Sequence, residues 1–328
     1  MTLYIIIVSW NGKEMLKRCL RSIFAHLPAE DFEMAVVDNG SEDGTPEMVK
    51  NDFPRVRLLA NEKNFGFAKA NNQALEQIIK LGAAPRGQTS AAGAPVLEQK
   101  LSTGQATRGL ASSAAPLPDF VLFLNQDMEV LPGTFSGMVE FMRQHPQAGV
   151  AGCHLINNQG NTVPQARRFP TVWDQAAIIL KLSHIFPCLL NKYLMTDFDY
   201  DKTEPQEVDS LRGSFLMTRR EVWEKVGGFD ERFFFWFEEV DFCKRVKQAG
   251  WQVMYNPAVK CVDLVGQSVK SLSRFKAQRM FTQSMLKYFA KWQPKWQYWL
   301  LWLLRPVGLG VALVTEIINS KFKMQKSK

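Results

Sequence analysis

Short apolar runs alternate with helical patterns through the first half of the chain. Leu3–Ser9 is a nearly continuous run rich in Ile and Val, which predicts a strand covered on both faces. Lys13–Ala25 follows with apolar residues at helical spacing. Later runs predict further strands at 34–38, Arg57–Ala60 and Phe120–Asn125, and a helix at 68–81. This alternation predicts a Rossmann-like α/β fold, a mostly parallel sheet with helices on both faces.

The second half has a less regular pattern. Residues 209–218 predict a strand, and a short helix should begin at Arg220 and end at the turn Gly227-Gly228. An aromatic run at 233–237 precedes a predicted helix at 238–249, and two more strands are predicted at 252–255 and 259–263.

Residues 82–118 interrupt the alternation. They are rich in Ala, Gly, Ser, Thr and Pro and have few large apolar groups, which predicts a flexible insertion between a helix and the next strand. An ordered loop with a function is the alternative. We expect a main domain at 1–270 and a helical segment at 271–328.

The C-terminal stretch 296–318 is strongly apolar, but Arg305 and Pro306 interrupt it. Neither half reaches the roughly 18 apolar residues that a spanning helix needs. Tryptophans alternate with lysines at its start, and four lysines follow at 321–328. This pattern is typical of an amphipathic helix lying in a membrane surface. A helix that packs inside the protein or in a dimer is the alternative.

Composition narrows the class of protein. The chain has 328 residues, of which 46% are hydrophobic, and a net charge of +8, which suits anionic partners. Its basic residues are dispersed apart from the tail, so a nucleic-acid-binding stripe is not indicated. The five cysteines form no C-x-x-C pair, which favours a reducing compartment. The N-terminus has the pattern of a strand rather than a signal peptide.

Polar residues follow three of the predicted strands directly. Ser9-Trp10-Asn11, Asp38-Asn39-Gly40-Ser41 and Asn125-Gln126-Asp127 occupy these positions. Ligands of open α/β sheets bind beyond the carboxyl ends of the strands, so a shared pocket is expected. Asp127 is the candidate ligand for a hard cation, Mg²⁺ or Mn²⁺, that would bridge phosphate oxygens. An Asx turn at the strand end is the alternative.

Two adjacent acids open the helix after the aromatic run. Glu238 and Glu239 would complement the helix dipole, which is the simpler interpretation. The other interpretation is a general base that takes a proton from a hydroxyl group. The neighbouring rings, Trp236 among them, would suit a sugar-binding wall, because the C–H faces of sugars pack on aromatic rings.

Six motifs in a fixed order resemble the inverting family 2 glycosyltransferases, which have a GT-A fold. They are V-S-W-N from Val8, V-V-D-N-G-S-E-D-G-T from Val36, N-F-G-F-A-K-A-N-N-Q-A-L from Asn64, L-N-Q-D from Leu124, R-G-S-F-L-M-T-R-R from Arg212 and G-G-F-D-E-R-F-F-F-W-F-E-E-V-D from Gly227. The resemblance covers residues 3–268 apart from the insertion and 155–205, and it is greatest to the rhamnosyltransferase-like branch.

The resemblance implies a role for each matching position. Ser9, Asn11 and Asp38 should line the nucleoside pocket, and Asn64, Gly66 and Asn72 should shape the donor site. Asn125 and Asp127 match the two ends of the metal-binding D-x-D motif. Glu239 matches the base, Arg212 and Gly213 should lie near the transferred sugar or diphosphate, and Trp236 should contact the acceptor.

The sequence departs from the family pattern in two places. Its acidic pair is Glu-Glu rather than Glu-Asp, and Asp263 stands where the family usually has a His. A carboxylate there would still bind a hard cation, so Asp263 is a second candidate metal ligand. It is also compatible with altered metal use or lost activity.

The expected function is therefore inverting, metal-dependent sugar transfer. The donor would be a nucleotide sugar, with dTDP-rhamnose the best candidate and UDP-hexoses open. The acceptor would be a lipid-linked or cell-surface saccharide, and the protein would lie in the cytoplasm, peripheral to the inner face of the cell membrane. A Rossmann oxidoreductase is disfavoured because G-x-G-x-x-G does not follow the first strand. A non-catalytic sugar-nucleotide-binding or scaffold protein remains the alternative.

Overall fold

The computed structural model describes residues 1–83, 117–264 and 273–326. Apart from its ends, the predicted insertion at 82–118 lies outside the described residues, and so do residues 265–268. The predictions made for those segments therefore stay predictions.

A single sheet of nine strands organises the described chain. Its members, in chain order, are β1 Leu3–Ser9, β2 Phe32–Asp38, β3 Arg57–Ala60, β4 Phe120–Asn125, β5 Met128–Val130, β6 Ala148–Ile156, β7 Gln206–Glu207, β8 Phe215–Arg219 and β9 Gln252–Asp263. The spatial order is β3-β2-β1-β4-β8-β6-β9-β5, with β7 beside β9. The first four strands pair in parallel, as expected from the apolar runs, whereas β8 runs antiparallel to both neighbours.

Helices cover both faces of the sheet. They are α1 Lys13–Ala25, α2 Thr45–Asp52, α3 Phe67–Ala83, α4 Thr134–Gln144, α5 Val172–Ile179, α6 Asn191–Leu194, α7 Arg220–Val226, α8 Glu238–Gln248, α9 Arg274–Trp292 and α10 Lys295–Lys326. Two 3₁₀ turns, Leu182–His184 and Pro187–Leu190, lie between α5 and α6. The fold class expected from the sequence, a mixed α/β sheet of the Rossmann-like GT-A type with a C-terminal apolar helix, is confirmed.

The side chains of the sheet alternate between two cores. Ile5 and Ile7 of β1 pack with α1 and α4 on one face, and Tyr4 and Ile6 pack with α3 and α8 on the other. A third apolar cluster joins α5, α9 and α10 to the aromatic run before α8. Through this cluster the C-terminal helices pack against the main sheet domain.

Two predicted strands have different bounds in the structure. The strand predicted at 209–218 is confined to β8, because Ser210 instead pairs with Arg167 in an isolated bridge. The two strands predicted at 252–255 and 259–263 are one strand, β9. Its register against β6 shifts next to Asn256, where the Asn256 side chain accepts a hydrogen bond from the backbone of Ala258 at 3.1 Å. The Asn-Pro pair therefore marks an irregularity in the strand rather than a turn.

The predicted interruption of the C-terminal stretch is wrong. α10 continues through Arg305 and Pro306, because its inner face is packed and Arg305 Nε donates to Thr282 Oγ1 of α9 at 3.1 Å. The 24 residues Lys295–Ile318 have a mean hydropathy of 1.7 and are, by length and composition alone, long enough to cross a membrane. Only 17% of the most apolar window is buried in the protein.

Candidate active site

A cavity of about 340 Å³ opens beyond the carboxyl ends of β1, β2 and β4. Residues just after these strands form its floor, and residues before and on α8 and α9 form its opposite wall. The lining residues are Val8, Trp10, Asn39, Asn64, Gly66, Phe67, Asn125, Gln126, Asp127, Arg212, Gly213, Ser214, Phe234, Phe235, Trp236, Glu238, Glu239, Asp263, Lys276 and Met280. This is the position at which open α/β sheets bind ligands.

The segment after β4 is fixed to its neighbours on both sides. The backbone N–H of Asn125 donates to Ser214 O at 3.0 Å, and Gln126 Oε1 accepts from Ser9 Oγ at 2.6 Å. Gly12 is needed beside this amide, because a Cβ there would lie 2.4 Å from Gln126 Oε1. Ser9 thus supports the floor through Gln126 rather than lining the cavity itself.

Asn39 organises the loop that leads into α3. Its Nδ2 donates to Asn64 Oδ1 at 3.0 Å and to Gly66 O at 3.2 Å, and its Oδ1 accepts from the Phe65 backbone at 3.0 Å. Gly66 has a φ of +89°, and a Cβ on it would lie 2.5 Å from Phe234 O. Only glycine permits this close approach, which brings the loop against the aromatic run.

Two buried carboxylates lie at one end of the cavity, Asp127 directly before β5 and Asp263 at the end of the neighbouring strand β9. Met128 of β5 is in register with Asp263 of β9, and the backbone N–H of Leu264 donates to Asp127 O at 3.0 Å. Asp127 is 4% exposed and Asp263 2% exposed. Arg212 Nη1 lies 4.0 Å from Asp263 Oδ2. The sequence-predicted metal ligands are therefore brought together, with a guanidinium beside one of them.

This donor set fits a cation that is only partly coordinated by protein. Among the described residues no group of three or more His, Cys, Asp or Glu side chains is arranged to hold a metal. Mg²⁺ is usually bound by one or two carboxylates together with substrate phosphates and water. Asp127 and Asp263 meet that requirement when a diphosphate supplies the remaining oxygens.

The acidic pair lies at the first turn of α8. Trp236 and Phe237, which precede it, both adopt the left-handed backbone region, with φ of 67° and 71°. Such strain in non-glycine residues costs about 1–3 kcal/mol each and clusters at functional sites. Phe237 is buried and its carbonyl accepts the Asp241 N–H at 2.9 Å, so the strained turn starts the helix. It directs both glutamates toward the cavity.

The two glutamates differ in environment. Glu238 is 5% exposed, and burial, followed by the negative charge of Glu239, raises its pKa well above the usual range. Burial also raises the pKa of Glu239, while the positive charges of Arg212 and Arg167 oppose that rise. Each has one carboxylate oxygen, Oε2, that is buried without a hydrogen-bond partner among the described residues. Glu239 is thus a half-buried carboxyl group with two arginines near it.

Besides Ser9, three more of the predicted donor residues lie outside the cavity lining. Asn11 accepts from the Glu42 backbone at 2.9 Å, in the loop that follows β2. Asp38 is 1% exposed and accepts from the Ser41 backbone at 3.0 Å, with its Oδ1 buried and unbonded among the described residues. Asn72 bonds the backbone of Phe229 with both ends of its amide, at 2.8 and 2.9 Å. Its placement holds the turn before the aromatic run.

Several residues that line the cavity or act on it were not predicted as site residues. Lys276 and Met280 come from α9, which the sequence pattern had not separated from the C-terminal segment. Arg167 belongs to the stretch 155–205, which the family motifs do not cover. Its positive charge opposes the rise in the pKa of Glu239. Asn39 and Gln126 each come directly after a strand, and this position was the only sequence feature that could have identified them as site residues.

Sequence comparison identifies two matching family models. The model "Glycosyl transferase family 2" matches residues 4–78, which contain β1 to most of α3. The model "N-terminal domain of galactosyltransferase" matches residues 198–265, which contain Arg212 and the acidic pair. Residues on both sides of the cavity therefore fall within these matches, whereas 125–127 and the residues of α9 lie outside them.

Two relatives and one solved structure extend this result. An N-acetylglucosaminyl-diphospho-decaprenol L-rhamnosyltransferase of Mycobacterium tuberculosis is 28% identical over 258 residues, covering 78% of this chain and 74% of the relative. The rhamnosyltransferase WbbL of Escherichia coli is 26% identical, covering 53% and 62% of the two chains. A mannosyltransferase of Pyrobaculum calidifontis, solved with GDP-Man and Mn²⁺, superposes with a TM-score of 0.53 at 17% identity, covering 95% and 73%.

In its fold, its cavity and these matches the chain is similar to the family 2 glycosyltransferases, and its fold is of the GT-A type. Within that class the chain is rhamnosyltransferase-like, as its sequence relatives indicate. The resemblance stated from the motifs is thereby confirmed.

Proposed function

We propose that this protein transfers a sugar, rhamnose from dTDP-rhamnose being the best candidate, to a hydroxyl of a lipid-linked or cell-surface saccharide with inversion at the anomeric carbon. The supporting observation is the convergence of three groups in one cavity: Asp127 after β4, Arg212 before β8 and Glu239 on α8. In this proposal Asp127 and Arg212 bind the cation and the diphosphate at one end of the cavity. Glu239 lies on the other side, and the transferred sugar occupies the space between them. The rhamnosyltransferase names of the relatives favour rhamnose over other sugars.

Each group has one task in this mechanism. Asp127 and Asp263 would hold Mg²⁺ or Mn²⁺, which when bound neutralises charge on the diphosphate. Arg212 adds a positive charge at the same end of the cavity. Asn64, Gly66, Asn125 and Gly213 shape the donor space.

The acceptor side is the wall formed before and on α8. Glu239 takes the proton of the acceptor hydroxyl as that oxygen attacks the anomeric carbon and the bond from this carbon to the diphosphate breaks. The nucleoside diphosphate leaves in the same step, so no covalent sugar–enzyme intermediate is formed. The raised pKa of this carboxyl favours the transfer, because a base works best when its pKa lies near the working pH. Trp236, half-buried against Phe281 of α9, presents a ring for the acceptor sugar.

The acceptor class also supports a position at the inner face of the cell membrane. We propose that α10 binds the membrane surface through its exposed face, since Trp296, Trp299 and Trp302 are about half exposed and lysines lie at both ends of the helix. A lipid-linked saccharide would then be presented at the same surface.

A donor panel tests the proposed activity. The purified protein is incubated with Mg²⁺ or Mn²⁺ and with each nucleotide sugar, and nucleotide release and donor affinity are measured separately. We expect dTDP-rhamnose to bind in a metal-dependent way and to be turned over when a lipid-linked acceptor is added. Metal-dependent binding with no turnover for any donor and acceptor would instead support the non-catalytic, sugar-nucleotide-binding alternative, which Asp263 at the usual His position favours.

A further inference from the structure

Exposed large apolar side chains are concentrated in two stretches of the described chain. All but Leu27, Ile79 and Phe234 lie either on α10 or at 173–189. In the second stretch Trp173 is 68% exposed and Ile185 69% exposed. The other exposed members of that stretch are Leu182, Phe186 and Leu189. Contiguous exposed apolar surface of this kind marks an interaction site.

The two stretches meet in space. α5 packs against α10, and the contact is tight at Gly308, where a Cβ would lie 2.8 Å from Ile179 O and 2.7 Å from Ile179 Cγ2. Ile179 ends α5, and the two 3₁₀ turns at 182–190 follow it directly. The apolar side chains of these turns therefore emerge beside the middle of α10.

α10 lies flat on the protein rather than projecting from it. Near its end Glu316 Oε2 accepts from the Phe275 backbone at 2.8 Å, and near its middle Arg305 bonds Thr282 at 3.1 Å. α9 thus runs antiparallel beneath α10 over most of its length. α9 carries five Lys and Arg residues, which do not belong in hydrocarbon. A helix backed in this way presents one long face outward, in the plane of the protein surface.

The charges around this surface are of one sign. No Asp or Glu occurs from 175 to 196, whereas Lys181 and Lys192 lie at the two ends of the turns. The only acidic residue of α10 is Glu316, which is engaged by the backbone of α9. Lys295 begins the helix and lysines recur at its end. Apolar side chains rimmed by cations fit the interface of an anionic bilayer.

We propose that the turn segment 182–190 is a second membrane-binding element, and that it and the outward face of α10 together dock the protein on an anionic lipid bilayer. This inference rests on the proposed membrane binding of α10 and adds a contact that the sequence pattern did not single out. Two separate contacts fix the tilt of the protein, which one helix does not. Lys276 and Met280 of α9 line the cavity, and α10 lies between α9 and the lipid, so the cavity lies about two helix diameters, roughly 20 Å, from the lipid surface.

An exposed cysteine provides a labelling site within this surface. Cys188 lies in the 182–190 turn segment and is exposed, whereas the other four cysteines are buried. The full-length protein is labelled at Cys188 with a polarity-sensitive fluorophore and mixed with vesicles of phosphatidylethanolamine and phosphatidylglycerol. We expect a blue shift on binding, and quenching by lipids that carry a spin label in the acyl chain. Vesicles of phosphatidylcholine alone should bind less, and salt should weaken binding.

Substitutions show how much of the vesicle binding comes from the turn segment and how much from α10. Ile185→Ser with Phe186→Ser should weaken vesicle binding about tenfold or more, because two side chains no longer enter lipid. Leu27→Ser with Ile79→Ser, which removes two large apolar side chains that are 46% and 43% exposed elsewhere on the surface, should leave it unchanged. Trp299→Ser with Trp302→Ser tests α10 by itself.

The outcomes separate this inference from the proposed function. Loss of vesicle binding in the α10 variant alone, with no blue shift at Cys188 in bound wild-type protein, would overturn the role of the turn segment and leave that of α10 standing. A blue shift that follows protein concentration in the absence of vesicles would overturn the inference in favour of a second copy of the chain. Nucleotide release measured with a water-soluble acceptor should be the same in all these variants.

Discussion

Asp241 is the buried carboxylate that joins α8 to the end of α9. It is fully buried, and it accepts from Arg245 Nε at 2.9 Å, from Trp292 Nε1 at 2.8 Å and from Lys291 Nζ at 2.6 Å. Asp241→Asn keeps the shape of the side chain and removes its charge. Because α8 also carries Glu239, we expect this change to lower both the stability of the protein and the rate of sugar transfer.

The magnitude follows from the partners that remain. Removing one member of a buried ion pair costs about 3–5 kcal/mol when the other charge is left uncompensated. Here Lys291 keeps Asp230 at 2.8 Å, and Arg245 keeps the Gly228 carbonyl at 2.7 Å. The loss should therefore lie near the lower limit, about 3 kcal/mol. With an m value of about 3 kcal/mol/M, the urea midpoint should fall by about 1 M.

The assay compares two substitutions that affect the same helix. Urea unfolding is followed by tryptophan fluorescence for Asp241→Asn and for Glu207→Gln, which breaks the ion pair to Lys247 on α8. Lys247 and Glu207 are 26% and 43% exposed, so this pair should contribute only about 0–1 kcal/mol. Equal shifts in the two variants, or an unchanged midpoint for Asp241→Asn, would refute the claim that burial makes Asp241 a structural anchor.

Three further substitutions test the cavity. Glu239→Gln should lower the turnover rate about 10²–10⁴-fold with donor affinity retained, and the same loss in Glu238→Gln alone would show that the roles are reversed. Asp127→Ala should abolish the dependence of donor affinity on Mg²⁺ or Mn²⁺ while the circular dichroism spectrum stays that of the wild type; an unchanged metal dependence would contradict its role. Glu238→Gln should raise the free energy of unfolding at neutral pH. The pKa of Glu238 is raised on folding, so its stabilising contribution is present below the unfolded pKa of about 4.3 and is lost as the pH rises through the folded pKa. The difference from wild type should therefore shrink toward pH 4, and a constant difference would contradict the assignment.

The parallel half of the sheet was predictable because buried strands leave an unbroken apolar run. β1, β3 and β4 have the predicted bounds, and α1 does as well. β6 has no unbroken apolar run, because small residues interrupt the large apolar ones in its sequence A-G-V-A-G-C-H-L-I. Those residues are small because of tertiary neighbours: a Cβ on Gly149 would lie 2.6 Å from Trp251 Cβ. Contacts of that kind join residues about a hundred positions apart and leave no local pattern.

The site was predictable to the extent that it follows strands. Asn125 and Asp127 needed only the rule that ligands bind at the carboxyl ends of strands, and the structure places both in the cavity. Lys276 was missed because its place in the cavity depends on how α9 packs across the aromatic run. Asn72 has motif-matching neighbours, yet both ends of its amide bond the Phe229 backbone. A motif match thus locates a residue near the site without showing which way its side chain is used.

The acidic pair shows why local sequence patterns, apart from the motif match, do not assign the base. Adjacent residues on a helix point in directions about 100° apart, so one glutamate of a pair faces the cavity more openly than the other. In this protein the strained turn at Trp236 and Phe237 sets that direction, and it leaves Glu238 buried and Glu239 half-buried beside Arg212. A base must ionise at working pH and reach its substrate. Glu239 has nearby positive charge and exposure to do both, whereas Glu238 has burial and a negative neighbour, which favour its neutral form. The assignment of the base to Glu239 therefore rests on the strained turn before α8, a feature that the letters F-F-F-W-F-E-E do not encode in any local propensity.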